Sequence, residues 1–246
     1  MLAYTFIPMA AAVLSAVIAV LRRPGRKLTS VVQHLAAGVV FAAAVGEILP
    51  EILNQHGTWP IVIGGTLGIA ATYGIKWVHC YTHGPAAFVA SVGIDTLVDG
   101  IVIGIGFVLG AAQGLLLTFA LTLEILFLGL AMTSTLADHL KGWQIVALSV
   151  GIGALFPIGA LIGGVVGGLP TPYVVGFYSF GLMALLYLVT EELLVEADRH
   201  YDTPATTVVF FVGFLLVILL EHTVHLDELD AAQAAAPVSL HGASEP

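Results

Sequence analysis

The chain has 246 residues, 59% of them hydrophobic and only 9% charged, with a formal net charge of −9. A soluble domain of this length needs far more charged surface, so the composition is that of a polytopic membrane protein. The acidic balance leaves no basic surface for nucleic acid, and the single cysteine, Cys80, excludes an internal disulfide or a multi-cysteine zinc module.

Apolar runs of roughly 20 residues predict eight spanning helices, at about 4–21, 29–49, 60–78, 86–109, 112–136, 143–168, 172–193 and 205–222. The first run has no basic stretch ahead of it and reads as a retained span rather than a cleaved signal. Short connections predict one all-α bundle over residues 1–230, a multi-pass protein of the cell membrane. The Ala-, Pro- and Ser-rich tail, 231–246, reads as disordered.

Orientation follows from positive charge. Arg22, Arg23, Arg26 and Lys27 lie between spans 1 and 2, Lys76 at the end of span 3, Lys141 between spans 5 and 6, and Arg199 between spans 7 and 8. All seven fall on one side of an eight-span arrangement. The positive-inside rule makes that side cytoplasmic and puts both termini outside.

Depth then singles out three acids. Asp95 and Asp99 fall near the middle of span 4, and Glu124 falls at the middle of span 5. Carboxylates at midplane depth are costly and mark ion pathways. Residues four apart share a helix face, so the two aspartates can grip one ion, with Ser91 one turn below. Without a cation, mutual repulsion in low dielectric should leave at least one of the three protonated. An all-oxygen cage suits Mn²⁺, Mg²⁺ or Ca²⁺, whereas zinc more often takes a His or Cys. The structural alternative has these acids hydrogen-bonded to hydroxyls nearby, with Thr118 and Thr122 as candidates. Pro157, at the centre of span 6, is expected to bend that helix at the same level.

Other polar residues lie nearer the ends. Glu47 and Glu51 close span 2, and Glu221, His222, His225, Asp227 and Glu228 follow span 8. His79, Cys80 and His83 cluster between spans 3 and 4, and Glu191, Glu192, Glu196, Asp198 and His200 surround the inner end of span 7. At helix ends, solvated carboxylates are the commoner outcome. Glycines 100, 104, 106, 163, 164, 167 and 168 are expected to let helices pack closely.

Several segments together resemble the ZIP (Zrt-, Irt-like protein) metal-transporter family. Ala36-Ala37-Gly38 through Glu47-Ile48-Leu49-Pro50-Glu51 is similar to that family's second helix, and Phe156-Pro157-Ile158-Gly159-Ala160-Leu161-Ile162-Gly163 to its sixth. Gly181 through Tyr187 to Glu191-Glu192 resembles the seventh, and Gly213-Phe214-Leu215-Leu216 the eighth. Eight spans with both ends outside is the family's layout. Aligned on Gly100, the fourth-helix motif His-Asn-x-Pro-Glu-Gly places Asp95 at the His, Thr96 at the Asn, Val98 at the Pro and Asp99 at the Glu. Aligned on Gly129, the fifth-helix motif His-Glu-x-Pro-Glu-Gly places Glu124 at the His, with Ile125, Phe127 and Leu128 at the first Glu, the Pro and the second Glu. Phe156 stands where many members have a Glu. The motif histidines and both prolines are thus replaced, and a single carboxylate site is expected in place of a two-metal centre.

The resemblance implies a carrier, not an enzyme, with no resident cofactor. A divalent metal cation (zinc, manganese, iron or similar) would be its substrate, moved into the cytoplasm by alternating access. Asp95, Asp99 and Glu124 would be the ligands. Ser91, Thr96, Glu47, Glu51, His79, His83 and Glu191 would line the pathway. Expected partners are the ion, the lipid bilayer and a second copy in a homodimer. The competing readings are a proton-coupled or monovalent-cation carrier, and a non-transporting relative with a regulatory or structural role. An intramembrane aspartyl protease ranks below these, because both aspartates share one helix.

Overall fold

In the computed structural model, residues 2–22, 25–55, 57–82, 85–137, 139–195, 197 and 203–235 are described. They form helices α1 Leu2–Leu21, α2 Arg26–Ala43, α3 Leu49–Leu53, α4 Thr58–Thr82, α5 Pro85–Leu109, α6 Ala111–Leu136, α7 Gly142–Gly153, α8 Leu155–Gly167, α9 Thr171–Leu188 and α10 Pro204–Ala235. No strand occurs among the described residues. Eight segments are long and apolar enough to cross a membrane. The protein is an all-α polytopic membrane protein, with the eight expected spans.

Three spans are interrupted, each with a local chemical cause. Between α2 and α3 the helix widens into a π turn, Ala44–Ile48. Pro50 lacks the N–H that would bond the Gly46 carbonyl, and the wider turn absorbs the mismatch. A second π turn, Val189–Leu193, follows α9. There the Thr190 hydroxyl donates to the Leu186 carbonyl at 2.9 Å and competes with the backbone ladder. The third interruption is the bend expected from Pro157. Span 6 breaks at Ala154, between α7 and α8. The ring of Pro157 leaves the carbonyl four residues earlier, at Gly153, without its bond, so the break falls upstream of the proline.

The helices associate in two groups. α5 packs on α8 and α6, and α1 packs on α6, α7 and α8, which joins spans 1, 4, 5 and 6. α4 packs on α9 and α10 on α2, while α9 meets α3 and both π turns abut their neighbours, joining spans 2, 3, 7 and 8. The groups meet chiefly where α2 lies on α6. Small residues allow these approaches, as expected for helices in lipid. A Cβ on Gly104 would stand 2.9 Å from the Cα of Gly163, and one on Gly38 or Gly64 would collide with the carbonyl of Phe210 or Gly176.

Side chains such as Leu67, Tyr73, Val212 and Leu215 face outward and are exposed, as a lipid-facing surface requires. The last helix continues to Ala235, into the stretch expected to be tail, and residues 236–246 lie outside the described residues.

Candidate metal centre

α5 and α6 form a helical hairpin around the single residue Gly110. Glu124 lies as many residues beyond Gly110 as Thr96 lies before it, so it stands between the levels of Asp95 and Asp99. One carboxylate oxygen from each of Asp95, Asp99 and Glu124 lies within 4.8 Å of the other two. Asp99 and Glu124 are buried, and Asp95 is partly buried. The sequence expectation that these three acids meet is therefore realised in the geometry.

Their surroundings sharpen its meaning. Among the described residues, Asp95 Oδ2, Asp99 Oδ1 and both oxygens of Glu124 have no hydrogen-bond partner. The hydroxyls that could have served them turn to their own helices. Thr96 donates to the Val92 carbonyl at 2.7 Å, Thr118 to Gly114 at 2.6 Å and Thr122 to Thr118 at 2.5 Å. Ser91 donates to the Phe88 carbonyl at 2.9 Å. The structural alternative, in which Thr118 and Thr122 satisfy these acids, does not hold here. Buried carboxylate oxygens converging without donors have the chemistry of a cation cage, because a positive ion or shared protons can relieve them.

The positions where the ZIP resemblance would imply further ligands are apolar. Ile125, Leu128 and Phe156 are all buried, so the cluster offers three side-chain ligands from two helices. Carboxylates alone favour a hard cation.

A small cavity of about 50 Å³ opens from the cage toward the ends of α4 and α9. Its walls include Thr72, Ser91, Asp95, Tyr187, Leu188 and Glu192. Ser91 thus lines this cavity, while Thr96 is buried and is not among its walls. Glu192, rather than the expected Glu191, lines this vestibule. Glu191 turns away and pairs with Lys76. The adjacent acids differ because the π turn shifts the helix phase, a shift that an α-helical reading of the sequence misses.

At the opposite end the remaining acids stand apart from the triad. Gln113 donates from Nε2 to the Glu47 carbonyl at 2.8 Å, and Gln55 donates to Glu51 at 3.2 Å. The Glu221 carboxylate lies against Gly46, 2.9 Å from where a Cβ would be. Tyr178 is fully buried within the field of Glu47 and Glu51, and its hydroxyl lacks a partner among the described residues. The sequence reading did not single out Tyr178, because an aromatic on an apolar helix reads as core. The side chain of His79, and His83 altogether, lie outside the described residues.

What the fold and site define is a polytopic helical membrane protein with a buried carboxylate cluster able to bind a metal ion. No family model matches the chain, and no curated protein does.

Proposed function

We propose that this protein is a carrier of divalent cations of the ZIP type, moving its ion toward the cytoplasm through the Asp95–Asp99–Glu124 cage. The observation that carries this reading is the set of converging buried carboxylate oxygens without hydrogen-bond donors. A scaffold role would not favour three such groups at mid-span, since each costs folding free energy unless it is paired. The three-oxygen donor set favours Mn²⁺ or a similarly hard ion over zinc. The vestibule beside Asp95 and Glu192 supplies a route to the side that carries the positive charges, which is the cytoplasmic side by the positive-inside rule. The two helix groups meeting along α2 and α6 supply bodies that can move against each other in alternating access.

Purified protein in liposomes, with radioactive Mn²⁺ outside, tests this directly. Uptake above that of empty liposomes is expected, with loss of at least about tenfold in Asp99→Asn and Glu124→Gln, because each removes one of three charged ligands. Uptake that survives in the triple variant with Asp95→Asn would reject the cage as the transport site.

Asp95 meets Glu124 in the cage and shares the cavity wall with Glu192, which favours a second reading, in which the same acids pass protons or a monovalent cation. Acidification of the liposome lumen without Mn²⁺ entry would select it.

A further inference from the structure

α4 passes along the vestibule and continues beyond it to Thr82. Ile75 lines the cavity, and the next residue, Lys76, turns its ammonium to Glu191 in an ion pair. The same ammonium lies 5.4 Å from the centre of the Tyr187 ring, and Tyr187 and Glu192 are both cavity walls. The charge of Lys76 acts on Glu192 as well. An exposed cation therefore stands against the wall of a cavity whose charged lining residues, Asp95 and Glu192, are acids.

We propose that Lys76 is a charge filter for this vestibule, a tethered cation that neutralises the mouth and sets how strongly it attracts doubly charged ions. The role rests on the cation-path reading above. Coulomb energy scales with the charge of the passing ion, so the ammonium opposes a divalent ion twice as strongly as a monovalent one. The Tyr187 face and the Glu191 carboxylate together hold the ammonium at the mouth. Both its partners lie on span 7, whereas Lys76 lies on span 3, so the filter spans two helices. Without Lys76, Glu191 and Glu192 would both stand uncompensated, and the mouth would draw cations more strongly.

The test is vestibule access by a thiol reporter, which does not depend on transport. In a Cys80→Ser background, Ser91→Cys places the reporter on the cavity wall, and a cationic and a neutral methanethiosulfonate reagent are compared on the purified full chain. Adding Lys76→Gln should raise the cationic-to-neutral rate ratio roughly two- to fivefold, the effect of an exposed ion pair. Lys76→Arg should leave the ratio as it was. Mn²⁺ uptake by Lys76→Gln, without the reporter changes, should rise by a similar factor. An unchanged ratio in Lys76→Gln overturns the filter even if Mn²⁺ uptake is intact. A raised ratio with no Mn²⁺ uptake in any variant upholds the filter and removes the divalent carrier instead.

Discussion

Gly100 and Gly159 face each other backbone to backbone, and a Cβ built on either would stand 2.9 Å from the Cα of the other. Gly100 directly follows Asp99, so this contact fixes the depth and rotation of the turn that presents the carboxylate. Side chains at this seam would push α5 off α8 and move Asp99 with it. Gly159→Leu should cost about 2 kcal/mol or more, the usual penalty for overpacking, and should lower the melting temperature in detergent. Gly151→Leu is the control, because a Cβ there meets nothing within 4 Å. Equal melting of the two variants would show that the seam is not tight.

The cage should trade stability for binding. Asp99 and Glu124 are buried beside Asp95 without donors, so Asp99→Asn relieves repulsion and desolvation in the ion-free protein. An increase of about 1–3 kcal/mol in apo stability is expected, the scale of one unsatisfied buried polar group. Mn²⁺ at a hundred times its dissociation constant should stabilise the parent chain by about 2.7 kcal/mol and leave Asp99→Asn unmoved. Because the ligands bind the ion as carboxylates, Mn²⁺ competes with protons, and its affinity should rise with pH. Thermal melts with and without Mn²⁺ at several pH values read all three effects. An Mn²⁺ shift retained in Asp99→Asn would contradict the cage.

Much of this site was legible in sequence because its determinants are periodic. The 3.6-residue repeat places Asp95 and Asp99 on one face, and the Gly110 connection returns Glu124 to their level. Span number follows from hydropathy alone. What the sequence hid are departures from that period. Pro157 shifts its break upstream to Ala154, and the turn around Thr190 rotates the following residues, exchanging Glu192 for Glu191 at the cavity wall. Threonine partners were equally invisible, since a hydroxyl in a helix can bond its own backbone or a neighbouring acid. Thr118 and Thr122 take the first option.

Ligand chemistry should be convertible at Asp95, the most accessible member of the triad. Asp95→His keeps a ligand on the same face and replaces a hard oxygen by an imidazole nitrogen, which zinc accepts more readily. The ratio of Zn²⁺ to Mn²⁺ affinity should rise by about tenfold or more, the scale of one better-matched ligand. Competition between the two ions in thermal-shift or equilibrium-dialysis measurements gives the ratio. A ratio unmoved by the imidazole would mean that Asp95 does not touch the ion.

Glu191 and Glu192 are exposed neighbours that face different partners, and they should separate by mutation. Glu192 lines the vestibule together with Asp95. Glu191 pairs with Lys76 at an exposed position, its side chain 46% accessible. Neutralising Glu192 removes a charge from the cavity wall that it shares with Asp95, so attraction along the route falls. Neutralising Glu191 breaks an exposed pair of small energetic weight. Glu192→Gln should therefore cut the initial rate of Mn²⁺ entry about five- to tenfold, while Glu191→Gln should change it by less than about threefold. Measured side by side in liposomes at equal protein density, the reverse order would place the helix phase on the other acid and close the vestibule route.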